Sequence, residues 1–182
     1  MKLLKLLQLL IYTLLLSSTK QLLADQSCLL KVFSQYCLGG DVVELGRRKP
    51  GSIHQQREGE RFALIYPVGR ELDYVMAYQG KIYKVLRKFD PATSGRYREM
   101  RNQITEQYGR PREESLFPAG KAGLAAKIGA IERGEGKALL IWESERIPWR
   151  VELGWNRELG LYLAYIITPE RLHLLGNGVV NE

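Results

Sequence analysis

The sequence predicts an α+β domain: an antiparallel sheet of about five to six strands with one or two helices packed on one face, preceded by a short N-terminal helix. Three observations carry this expectation. First, two runs rich in β-branched and aromatic residues, 72–78 and 81–89, flank Gln79-Gly80, and glycine in a two-residue connection accepts the positive φ of a tight hairpin. Second, Tyr97, Met100, Ile104 and Tyr108 recur at i, i+3, i+7 and i+11, one face of a helix. Third, Trp149, Val151, Leu153 and Trp155 alternate with Arg150 and Glu152, the pattern of a strand wet on one side.

The elements follow in chain order. Residues 1–24 read as a signal peptide. Met1 to Lys5 is basic, Leu6 to Leu16 is mostly apolar, and a polar exit ends at the small residue Ala24. The apolar run falls short of the about 20 residues a membrane span needs, so no transmembrane span is expected once the signal is cut. Residues 25–182 then form one exported domain of roughly 158 residues, a length that buries a core without help.

Within it, 25–61 reads as a helix from Ser27 to Cys37, closed by Gly39-Gly40, and then a polar connector. Cys28 and Cys37 are expected to form one disulfide, as two cysteines in an exported chain favour. On one straight helix nine residues rise about 13.5 Å, beyond the about 7 Å Cα limit of a disulfide. Either the helix ends early and the chain doubles back, or the two thiols are not partners; the bond, with the helix broken before Cys37, is the expectation.

Residues 62–169 are the core: a strand at Phe62–Tyr66, the hairpin, then the Tyr97 helix capped by Asp90-Pro91 or Ser94 and stopped by Gly109 and Pro111. A weaker Ala/Gly-rich helix lies within 119–133. Ala138–Trp142 is continuously apolar and reads as a central strand. The strands around Trp149–Trp155 and Leu159–Ile167 complete the sheet. Residues 170–182 read as a frayed tail. The expected core includes Tyr97, Met100, Ile104, Trp149, Val151 and Leu153.

Motifs for chemistry are scarce. His54 and His173 have no histidine or acid at ligand spacing, whereas a zinc site needs three or four ligands. Ala119-Gly120-Lys121-Ala122 lacks the leading glycine and final hydroxyl of a phosphate loop. No Gly-x-Ser-x-Gly elbow occurs. No catalytic set, cofactor or metal is assigned. Trp142, Trp149, Trp155, Tyr162 and Tyr165 read as core aromatics, with a sugar or peptide groove as the alternative.

Charge is the one regional signal. The chain is +7, and residues 81–112 hold nine basic and three acidic side chains. Lys81, Lys84, Arg87, Lys88, Arg96, Arg98 and Arg101 are the candidate surface for an anionic partner. In an exported protein nucleic acid is not the expected partner. The partner is expected to be another envelope protein or an anionic envelope surface. The functional expectation is an exported, periplasmic or secreted, non-enzymatic binding or accessory protein of a bacterial cell envelope. The alternative is an envelope hydrolase acting on wall polymer or peptide through carboxylates and an aromatic groove.

Export has a direct test. N-terminal sequencing of the product recovered from outside the cytoplasm should read Asp25-Gln26-Ser27, and full-length chain held in membranes would show an anchor instead.

Overall fold

The strands are laid down as two antiparallel meanders whose last members pair. A computed structural model describes residues 28–120, 123–168 and 171–172. The expected signal peptide, His173 and the rest of the tail lie outside the described residues. The chain runs β1 (Leu30–Val32), β2 (Tyr36–Leu38), α1 (Val42–Arg48), β3 (His54–Glu58), β4 (Arg61–Val68), β5 (Glu71–Tyr78) and β6 (Lys81–Phe89). It continues through α2 (Ser94–Tyr108), β7 (Arg112–Glu113), α3 (Leu124–Arg133), β8 (Ala138–Trp142), β9 (Trp149–Asn156) and β10 (Gly160–Ile167). The main sheet has eight strands in the order β3-β4-β5-β6-β10-β9-β8-β7, with β1 and β2 forming a separate hairpin. Helix α2 carries the chain from β6 at the centre to β7 at the far edge.

The fold is α+β and antiparallel, with eight strands rather than five to six. Beyond that count, four expectations are corrected. The N-terminal segment is a β-hairpin, not a helix: Leu30 pairs with Leu38 and Val32 with Tyr36. Its turn places Phe33 at φ 48° and Ser34 at φ 60°. The hairpin brings the Cα atoms of Cys28 and Cys37 to 5.2 Å, joined as a disulfide. A short apolar run does not distinguish helix from strand by period, and here tertiary packing decides.

The supposed connector holds both α1 and β3. Asp41 caps α1 by accepting from the Val43 and Glu44 amides at 2.8 and 2.9 Å, and Val42 and Leu45 are buried. Strand β3 is exposed at every residue and is held by backbone pairing to β4 alone, so it shows no apolar alternation. Its Arg57 and Glu58 blunt the sheet edge.

Strand β8 is not central. It lies one place from the edge, next to the two-residue β7. It reads as continuously apolar because Leu140 and Trp142 meet the helices while Ile141, on the other face, is also buried. Likewise β9 has no wet side, since Glu152 is 8% exposed. Smaller differences remain: Thr93, not Asp90-Pro91 or Ser94, caps α2 through Oγ1, and Leu172 is buried, so the tail does not fray at once.

All three described helices and the hairpin pack on one face. Val42 and Leu45 of α1 join Val32, Tyr36 and Leu38 of the hairpin over Leu64, Tyr66, Val75 and Val85. Met100 and Ile104 of α2, with Ile131 of α3, cover Leu140, Trp142, Val151, Leu153, Leu161 and Leu163. Of the expected core, Met100, Ile104, Val151 and Leu153 are buried, and Tyr97 and Trp149 are half-buried. The opposite, far face carries a thinner apolar layer of Leu86, Tyr162, Ala164 and Ile166, contributed by the sheet itself.

A buried ion pair sits in the covered face. Asp73 is fully buried on β5 and accepts from Arg87 Nε and Nη2 at 2.6 and 2.8 Å. The Phe33 ring lies 4.2 Å from the Arg87 guanidinium. Removing one partner strands the other charge, so Asp73→Ala should lower unfolding free energy by about 3–5 kcal/mol. The double variant Asp73→Ala, Arg87→Met should recover part of it. Urea unfolding measures both, and a loss under about 0.5 kcal/mol for Asp73→Ala would show the pair to be dispensable.

The tyrosines give a pH prediction. Burial raises Tyr66, Tyr97 and Tyr162 above the ordinary phenol value and Tyr165 to about 12. Burial, then the Asp73 carboxylate, raises Tyr36. These groups stay protonated in the fold where the unfolded chain ionises. Stability should be indifferent to them below about pH 10 and should fall as pH rises from there through the folded values. Ultraviolet titration of tyrosinate should show a late phase that coincides with loss of structure. Titration of every tyrosine near pH 10 in folded protein would refute the burial of these hydroxyls.

Candidate functional site

A cleft of about 740 Å³ opens on the covered face where α2 and α3 diverge above the β8–β9 end of the sheet. Each wall follows from local sequence. On α2, Tyr97, Arg101 and Thr105 stand one turn apart, beside the buried Met100 and Ile104. On α3, Leu124, Lys127, Ile128 and Ile131 recur at i, i+3, i+4 and i+7. The floor is Ala138, Leu140 and Trp155. Arg110, Glu113, Ser115 and Phe117 close the end from the segment after α2.

Two contacts fix this frame. The Trp142 indole donates to the Gly109 carbonyl at 2.9 Å, tying the end of α2 to β8. The Phe117 ring lies against Gly136, where an added Cβ would stand 2.7 Å from the ring. The other side of Phe117 meets Lys127, with Nζ 5.1 Å from the ring centroid. Tyr97 and Trp155 pack at 6.0 Å between centroids, and burial raises the Tyr97 phenol, with Glu113 adding to the shift.

The lining is therefore aromatic and aliphatic below, and charged at the rim. Arg101, Arg110 and Lys127 face Glu106 and Glu113. Arg101, Arg110, Glu106 and Glu113 are exposed, and the two arginines form no ion pair among the described residues. Leu124 is 41% exposed on the lip, and Leu116, next to Phe117, is 63% exposed. Ser115 Oγ accepts from the Leu139 amide at 3.0 Å, which gives it a structural task.

The seven cations singled out from sequence do not share one surface. Arg87 is locked to Asp73, and Arg96 pairs with Glu71 at 2.7 Å while lying over the Phe89 ring at 4.9 Å. Glu71 also lies 3.7 Å from Arg87, so the structure brings these two arginines into one network. Arg101 lines the cleft and Arg98 is exposed on α2. Lys81 opens β6, where its backbone forms an isolated antiparallel β-bridge with Asp41. Lys84 and Lys88 point to the far face, in register with Ile166 and Tyr162. His54 lies on β3, at the opposite edge of the sheet from the cleft.

Sequence reading missed Arg110, Phe117, Lys127 and Trp155 as neighbours of Arg101. Their chain separations carry no local period. Only the crossover through α2 brings them together. Leu116, just before the Ala/Gly-rich stretch, and Leu124, within it, are the exposed apolar residues that give a local signal.

No protein-family model matches this chain, and no curated protein does. Solved structures similar to it include the following two. One is a cysteine-rich secretory protein from Staphylococcus aureus subsp. aureus Mu50, at 11% identity and TM-score 0.40, covering 80% of this chain and 47% of that one. The other is an extracellular protein containing an SCP domain from Bacillus anthracis str. Ames, at 9% identity and TM-score 0.41, covering 82% of this chain and 56% of that one. The chain spans about half the length of each, and neither likeness places it in a family.

Proposed function

We propose that this is an exported binding domain that takes an extended, apolar and acidic segment of another envelope protein into the cleft between α2 and α3. The observation that carries the reading is the lining itself. Aromatic and aliphatic side chains are presented at the floor and lip, with Arg101, Arg110 and Lys127 at the rim. Buried aromatic pockets ringed by polar groups concentrate binding energy, and the excess of cations over acids favours a negatively charged segment and speeds its approach. The Cys28–Cys37 disulfide fits an oxidising compartment, in line with the basic and apolar N-terminal sequence.

Site-specific photo-crosslinking in the native envelope tests the reading. A benzophenone amino acid at position 124 should capture one defined adduct, and Arg101→Glu should reduce its yield by about tenfold, the equivalent of 1.4 kcal/mol. The same probe at Ile53, which is 62% exposed beside β3, should capture none. Equal adducts from both positions, or none from Leu124, would overturn the assignment.

A further inference from the structure

The far face of the sheet carries a second charged cluster, independent of the cleft. Register builds it. Lys84 on β6 and Arg150 on β9 both lie opposite Ile166 of β10, one from each side. Two strand spacings of about 4.8 Å put their backbones roughly 10 Å apart, a gap that two long cationic side chains span from either edge. Glu152 sits two residues along β9, opposite Ala164 of β10, and Tyr162 lies two residues from Ala164 along β10, opposite Gly154. The Tyr162 ring lies flat on Gly154, where an added Cβ would stand 2.2 Å from it.

The charges in this cluster do not balance. Arg150 Nη2 meets Glu152 Oε1 at 2.7 Å, and the Glu152 side chain is only 10% exposed. Arg150 Nε is buried with no hydrogen-bond partner. The Lys84 ammonium, half-buried, makes no ion pair among the described residues. Burial lowers the Lys84 amine, and Glu152 pulls it back while Arg150 pushes the same way as burial. Two cations thus share one carboxylate, and Lys88, in register with Tyr162, adds a third on the same face. A buried donor without an acceptor, next to a desolvated cation without a partner, is an arrangement that a bound anion completes.

We propose that Lys84 and Arg150 form a phosphate-binding site on the far face of the sheet, with Arg150 Nε and Lys84 Nζ as donors and Glu152 holding Arg150 in place. The donors approach from opposite sides of Ile166. A tetrahedral phosphate offers oxygens in both directions, whereas a carboxylate offers them in one plane. Lys84 and Arg150 against Glu152 leave one positive charge, and Lys88, four residues along β6, adds a second to the field that an anionic phosphate meets. The group comes either as a soluble phosphate or as a phosphorylated headgroup.

Titration calorimetry of the whole domain with inorganic phosphate, against sodium chloride at matched ionic strength, tests the site. The wild type should bind phosphate and not chloride. Lys84→Met should weaken binding at least tenfold, and so should Arg150→Lys, which keeps a cation beside Glu152 but lacks the Nε donor. Lys127→Met, in the cleft, should leave it unchanged. Should Lys84→Met fail to fold, Lys84→Gln with Arg150→Lys carries the same test. Phosphatidic acid vesicles that bind wild type and not Lys84→Met would assign the phosphate to a headgroup. Vesicles that are ignored while inorganic phosphate binds would assign it to a soluble ester. Both outcomes support the site. Equal response to phosphate and chloride, or undiminished binding by the Lys84 and Arg150 variants, would overturn it, leaving only a solvated pair of cations.

Discussion

The Asp73–Arg87 ion pair is the constraint on which the covered face depends. A fully buried carboxylate carries a large desolvation penalty unless its partner is close and well aligned. Here both guanidinium donors engage it, in the paired geometry that makes arginine the preferred partner. Arg87 lies on β6, beside Leu163 of β10, at the seam between the two meanders. From that point contacts radiate into separate elements. Phe33 places the hairpin on the guanidinium, Tyr36 brings its hydroxyl end to the Asp73 carboxylate, and Glu71 links Arg87 to Arg96 on α2. Sheet, hairpin and helix therefore meet at one charged pair. The positive φ of Phe33 is unfavourable for a bulky residue, and its place over Arg87 and edge-on to Tyr165 offsets that strain.

This bears on what a sequence reveals. The Gln79-Gly80 hairpin, the α2 face and the strands of the second meander were legible, because each rests on a local period or a turn residue that only one structure satisfies. Val32, Tyr36 and Leu38 were not legible as strand residues. Their spacing also suits a helix, and what decides is docking onto Arg87 and Tyr66, over 25 residues away. Strand β3 was invisible for another reason: His54-Gln55-Gln56-Arg57-Glu58 buries nothing, so no side-chain pattern marks it. Helix α1 carries a local signal that the connector reading passed over: Asp41 as a cap residue, followed by Val42, Leu45 and a basic last turn.

Charge was the least legible property. A run of cations along β6 and α2 looks like one patch in sequence, but alternation in a strand sends neighbours to opposite faces. Arg87 therefore goes inward to Asp73, while Lys84 and Lys88 go to the far face. On α2 the helical turn splits Arg96 from Arg98. The net charge of a segment thus fixed the long-range field and not the site. Glu152 misleads in the same way. Alternation with Trp149, Val151 and Leu153 marks it as solvent-facing, but the far face has its own apolar layer, and Glu152 is buried within it beside Arg150.

The two walls of the cleft differ in how firmly they are held. Helix α2 is fixed at both ends, by the Thr93 cap and the Arg96–Glu71 pair at its start and by the Trp142–Gly109 hydrogen bond at its finish. Helix α3 is fixed at its C-terminal end, where Gly134 closes it at φ 77° and Arg157 donates to the Arg133 carbonyl. Its start has no side-chain cap, and Gly129 lowers its intrinsic propensity. Only Ala130 and Ile131 of this helix are buried. Elements with few buried contacts sit at the low end of local stability, and Leu124 stands at that uncapped end. The rigid wall carries Arg101 and the lightly anchored wall carries the exposed apolar lip. Under the proposed binding role, charge would select on a fixed surface, while apolar contact would be made by the part of the cleft that adjusts most cheaply to the shape of the bound segment.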